Sequence, residues 1–250
     1  MEAAAKRVDV GKVIRETFSI YGAHAAVLLG SALAVFVVVG IVQGLLAATD
    51  SFILVMVGGI VNLVGTTLYT GFVVKLVQDV RDGKRDFTVG ELFRSATGVL
   101  GALLINGILK GIAVFIGFIL LIVPGLILLT IWAVTAPAIV VERAGGIDAF
   151  GRSRELVRGQ GWPVFGAILV AFLIGVAVSI VAGALGAGTG DAGRVIFGVI
   201  GATIVAPISA LVASVLFFDL GGGRAAPAPE GVPPEATPPP PPPNTTTPAP

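Results

Sequence analysis

No cysteine occurs among the 250 residues, which excludes disulfides, thiol-ligated metals and thiol chemistry. Histidine is almost as scarce, with His24 alone at the edge of an apolar run. Metal centres and nucleophile–base pairs need clustered His, Cys, Asp or Glu, so neither is expected. Charge is thin: 12% of the residues are Asp, Glu, Lys or Arg, about half the density of a soluble domain. The net charge of +1 includes no Lys/Arg block suited to nucleic acid. Asp79 and Asp82 sit among Arg and Lys and read as solvated rather than as an acid–base pair. The run Gly221-Gly222-Gly223 follows no strand, so it reads as a hinge and not as a phosphate loop. The sequence predicts no enzyme, no cofactor and no metal.

Apolar residues fill the chain instead, at 55% of the total and a mean hydropathy of +0.99. They lie in uninterrupted runs, and about 20 such residues span a bilayer. The fold class predicted is an all-α integral membrane protein with six transmembrane helices. No short apolar stretch directly follows the basic N-terminal tip, so the first span reads as an uncleaved helix rather than a secretory signal.

Residues 1–8 read as a flexible tip, 9–218 as the membrane domain and 219–250 as a tail. From Asp9, a usable N-cap, Val10, Val13, Ile14, Phe18 and Tyr21 fall at helical spacing, with Lys12, Arg15 and Glu16 opposite. Such a helix lies in the membrane interface. The first span is predicted at Ala25 to Ala47 and the second at Phe52 to Val74, continuing toward Gly83, with a tight turn at Thr49-Asp50-Ser51. Thr88 and Glu91 fit a capping box for a second amphipathic helix.

Val99 to Val141 is long enough for two spans, with a hairpin predicted at Pro124-Gly125 and a bend at Pro137. Ile147 to Arg158 forms a third amphipathic segment, and Trp162 suits an interfacial aromatic. The fifth span is predicted at Val164 to Leu185, and the sixth at Val195 to Phe218 with a kink at Pro207. The tail holds 12 of the 16 prolines and is predicted to be disordered and locally polyproline II.

Lysine and arginine set the orientation, since they collect in short cytoplasmic loops. Lys6, Arg7, Lys12 and Arg15 precede the first span. Lys75, Arg81, Lys84, Arg85 and Arg94 follow the second, and Arg143, Arg152, Arg154 and Arg158 follow the fourth. The opposite loops hold only Arg194. Both termini are therefore expected in the cytoplasm. A five-span alternative makes Gly111 to Val141 one bent helix and places four arginines outside.

The stretches beginning at Asp9, Thr88 and Gly146 align without gaps, and Arg15, Arg94 and Arg152 occupy equivalent places. Each precedes a pair of spans, so the domain reads as three parallel repeats of an amphipathic helix plus a helical hairpin. Arg15, Arg94, Arg152 and Arg158 are candidate contacts for lipid phosphates, with Glu16, Glu91, Glu142 and Glu155 as the alternative partners.

Lys110 stands about 11 residues past Val99, roughly 16 Å along a helix and near the midplane of a core about 30 Å thick. Asn106, Asn62 and the Thr203 carbonyl left without a donor by Pro207 fall at similar depth. They predict a buried polar knot, flanked by Gly107 and Gly111. A shifted span would instead let Lys110 reach the interface.

The string Val123-Pro124-Gly125, Trp132, Pro137, Val141-Glu142, Gly145-Gly146, Ala149, Arg152-Ser153, Leu156 and Trp162 resembles the membrane domain attached to some glycerophosphoryl diester phosphodiesterases. That domain also stands alone in bacterial membrane proteins. Ile131 stands where relatives often have an Arg before the Trp. The resemblance implies a plasma-membrane module of bacterial type without the catalytic barrel. The role expected is to scaffold or regulate a protein partner, in the membrane or through the tail, or to organise lipid. The alternative is a small transporter or channel for a lipid-like substrate.

Overall fold

The computed structural model describes residues 8–47, 51–83 and 88–223. The turn expected at Thr49-Asp50, the basic residues Lys6, Arg7, Lys84 and Arg85, and the Pro-rich tail beyond Gly223 lie outside the described residues. The described chain is all α-helix, in the order α1 (Val10–Ala23), α2 (Ala25–Ala47), α3 (Phe52–Arg81), α4 (Val89–Thr97), α5 (Leu100–Leu120), α6 (Ile122–Ile131), α7 (Thr135–Glu142), α8 (Asp148–Val157), α9 (Gly161–Ala187) and α10 (Gly190–Asp219). Within it are six helical stretches long and apolar enough to cross a membrane, the fourth being α6 and α7 together. This is a multi-pass membrane protein.

Local chemistry accounts for the helix starts. The Asp9 side chain accepts from the Lys12 amide at 3.1 Å and caps α1. Thr88 and Glu91 cap each other's backbone amides at the start of α4, as a capping box requires. Helix α2 covers the predicted first span, and α3 continues past its predicted span until Gly83 turns the chain at φ 75°.

Two features differ from the sequence-based expectation. The hairpin between the third and fourth spans turns at Leu121, the extended residue between α5 and α6 (φ −165°, ψ 147°). Pro124 sits in the first turn of α6, where its missing N–H has no helical partner to lose. Gly125 serves the close approach of the two arms. A Cβ there would meet the Phe118 ring at 2.7 Å, and one on Gly117 would meet the Gly125 Cα at 3.0 Å. The glycine run 221–223 is a helix cap rather than a hinge. The Gly222 amide donates to the Phe217 carbonyl at 2.9 Å and the Gly221 amide to the Phe218 carbonyl at 3.1 Å, with Gly221 at φ 89°.

Each amphipathic helix packs on the closing helix of another pair: α1 on α10, α4 on α3 and α8 on α7. Val13, Thr17 and Ile20 are the buried stripe of α1, and Leu92 and Ala96 that of α4. In α8 the buried residues are Ala149, Ser153 and Val157. Against the gapless alignment this stripe falls one residue early, a rotation of about 100°. The equivalence of Arg152 with Arg15 and Arg94 fails for that reason. Arg15 and Arg94 are exposed, whereas Arg152 is half-buried.

The ends of α1, α3 and α10 meet in an ionic cluster. Arg81 pairs with Glu16, approaches Asp219 at 3.7 Å and lies 5.0 Å above the Phe218 ring, while Lys12 reaches Asp219 at 3.4 Å. Tyr69, Phe72 and Phe217 are among the largest side chains of the core just inside this end. The first halves of α3 and α10 instead expose Phe52, Ile53, Ile60, Ile196 and Ile200. In water such a face would drive aggregation; in a bilayer it is the solvated surface.

Candidate functional site at the broken fourth span

The fourth span does not merely bend at Pro137. Helix α6 stops at Ile131, Trp132 and Val134 take non-helical torsions near φ −107° and −109°, and α7 restarts at Thr135. Pro137 lies in the first turn of α7, where its ring no longer meets a helical carbonyl four residues back. The opening releases backbone groups that lipid cannot satisfy, each a cost of several kcal/mol.

Neighbouring helices satisfy three of them. Ser153 of α8, fully buried, donates from Oγ to the Ile131 carbonyl at 2.8 Å and accepts from the Val134 amide at 3.3 Å. Lys110 Nζ of α5 donates to the Trp132 carbonyl at 2.7 Å, and Thr135 Oγ1 reaches the same oxygen at 3.3 Å. Lys110 and Trp132 each stand midway along their spans. An ammonium is a three-donor group, so a freed carbonyl in the middle of a span is a fitting acceptor.

A cover of aromatic and ionic contacts holds α8 against the break. The Trp132 ring meets Phe150 edge-on with centroids 4.7 Å apart. Arg152 grips Glu142 with two hydrogen bonds, Nε to Oε2 at 2.7 Å and a terminal nitrogen to Oε1 at 2.9 Å. Those bonds hold the Arg152 guanidinium above its ordinary pKa. Glu155 adds a looser contact at 3.6 Å. Glu142 Oε1 also accepts from the Gly223 amide at 2.9 Å, which ties the end of α10's cap to α7. Gly146 lets the α7–α8 link press on α5: a Cβ there would stand 2.7 Å from the Ala102 carbonyl. Beside it, Asn106 Nδ2 donates to the Gly146 carbonyl at 2.8 Å.

The expected knot is thus only partly assembled. Lys110 and Asn106 both brace the α7–α8 region, but through Trp132 and Gly146 rather than through each other. Asn62 instead accepts from Thr66 Oγ1 at 3.4 Å, one turn along its own helix. Thr203 turns its hydroxyl back to the Val199 carbonyl at 2.8 Å. Sequence reasoning named Ser153 only as part of a motif and missed what it does. Its signal was a small hydroxyl on the apolar stripe of an otherwise charged helix. Among the candidate lipid contacts, Arg152 takes the carboxylate alternative, and Arg158 is exposed at the C-cap of α8. Trp162 is 85% exposed and lies edge-on to Phe165.

Among the described residues, no three His, Cys, Asp or Glu side chains gather where they could hold a metal ion. The motif string from Trp132 to Ser153 converges on one place, the break and the helix that covers it. Comparison with known protein families, with curated proteins and with solved structures returned no match for this chain.

Proposed function

We propose that this chain is a non-catalytic membrane module that scaffolds a partner or organises lipid, with both termini in the cytoplasm. The observation that carries this reading is the use made of Lys110. The most costly side chain in the apolar spans is engaged in closing a break in the neighbouring helix, and α8 completes the closure from the charged end. Polar groups committed to architecture fit a scaffold. The packing of α1 on α10, α4 on α3 and α8 on α7 supports a cyclic arrangement of three related units, the third rotated by one residue. The phosphodiesterase-associated membrane domain remains the family reading, on the motif residues alone.

The alternative, transport of a lipid-like substrate, rests on the mid-span position of the same lysine. Lys110→Met keeps length and removes charge, and it separates the two. A scaffold loses assembly or thermal stability and shows no flux to begin with. A variant that inserts and folds normally but loses a measurable lipid flux decides for transport. The orientation is checked separately by a reporter active only outside the membrane, which stays silent when fused to the C-terminus; an active fusion refutes it.

A further inference from the structure

On the outer side of the bundle, α6 and the start of α9 are separated by an open groove of about 790 Å³. Val123, Ile127 and Ile131 form one wall, and Gln160, Trp162 and Phe165 form the other. The volume lies within the range of ligand pockets, about 300–1,000 Å³. From Ile131 to Val123 the α6 wall runs for roughly 12 Å, at about 1.5 Å per residue. It faces outward from two membrane-spanning stretches, so the bilayer is its surroundings.

The chain that enters one end of the groove carries two cations. Arg158 immediately precedes Gly159, which lies in the wall, and Arg154 stands one turn earlier on the same side of α8. Both are exposed, and neither meets a carboxylate among the described residues. Arg152, by contrast, is already engaged by Glu142. Trp162, in the first turn of α9, is 85% exposed, and an indole at the end of a span suits the headgroup level. Among the described residues, Gln160 uses only its carbonyl oxygen, accepting from the Val8 amide at 3.2 Å. Its amide nitrogen keeps donors for a further acceptor.

We propose that this groove is a site for one anionic phospholipid, with an acyl chain along α6 and the phosphate at Arg158 and Arg154. The match is of charge and shape together: an apolar slot adjoins two guanidinium groups that meet no carboxylate among the described residues, and such groups bind phosphate in a planar fork. The inference goes beyond the scaffold reading and does not depend on Lys110.

The test uses the full chain in detergent after exchange with vesicles of equal phosphatidylglycerol and phosphatidylcholine. Native mass spectrometry then counts retained lipid. The parent is expected to keep one phosphatidylglycerol in several-fold preference. R154Q together with R158Q is expected to abolish the preference, and Ile127→Trp, which fills the slot, to lower total retention several-fold. Photolabelling the parent with phosphatidylglycerol bearing a diazirine on its acyl chain supplies a readout that needs no variant. Labels concentrated on residues 123–131 and 160–165 support the site. Labels spread evenly over the exposed faces of α2 and α5 overturn it, as does a preference unchanged in the double variant. A dominant cross-link between two copies through α6 also overturns it, in favour of a dimer seam. A loss of flux in Lys110→Met with lipid retention intact defeats the scaffold reading and leaves this site standing.

Discussion

Two prolines stand well inside spans, more than a turn from either end, and the helix treats them differently. Pro207 lies within α10, which runs unbroken from Gly190 to Asp219. Pro137 follows a three-residue opening that divides α6 from α7. Each proline lacks one N–H, so the local loss is the same. The neighbours differ. Around α10, close contacts such as Gly201 against Ala182 and Gly175 against Val205 seat the helix on α9, and the Tyr21 hydroxyl of α1 reaches the Ile204 carbonyl only at 3.5 Å. Around the fourth span, α5 offers an ammonium and α8 a buried hydroxyl. Both prolines permit an opening, and the one that is taken is the one met by short donors from two adjacent helices.

The largest effect is expected from Ser153→Ala, which leaves the Ile131 carbonyl and the Val134 amide without a partner. Interhelical hydrogen bonds in membranes average about 0.6 kcal/mol and unsatisfied buried groups cost about 1–3, so a loss of about 2 kcal/mol is expected. It is read as a fall in detergent melting temperature with faster amide exchange at 132–134. Parental exchange there, with unchanged stability, would remove Ser153 from the account. A smaller loss, about 1 kcal/mol, is expected for Glu142→Gln, because the pair is partly solvated. A double-mutant cycle with Arg152→Gln should show coupling of similar size, and additive single effects would mean that the clamp is idle.

The smallest effects belong to the prolines themselves. Pro207→Ala restores one backbone bond and loses ring packing at a buried site, and the net change is expected within about 1 kcal/mol. Pro137→Ala is expected to leave Val134 exchange as it was, since Ser153 and Lys110 still hold the opening. A protected Val134 amide in that variant would show that the proline, not its neighbours, breaks the span.

Much of this architecture is legible in local sequence. Asp9, Thr88 and Glu91 are capping signals with a mechanism, and Ala25 to Ala47 is bounded by composition alone. The one-residue turn at Leu121 was not legible, because a proline and glycine that look like a turn serve instead as first-turn residue and contact point. Nor were the partners of Lys110. A freed backbone carbonyl has no side-chain identity, so no residue pattern announces it. The rotation of α8 was hidden as well, since Phe150 and Ala149 are both apolar and only packing chooses between them.

The Leu121 turn bears on how the protein reaches its membrane. Helices α5 and α6 are joined through a single extended residue, itself apolar and 68% exposed. No hydrophilic loop exists there to be carried across as a separate cargo. The two arms are also seated on each other at Gly117 and Gly125. The expected consequence is that this part of the chain inserts as one hairpin led by the apolar tip Leu120-Leu121-Ile122, rather than as two separate spans.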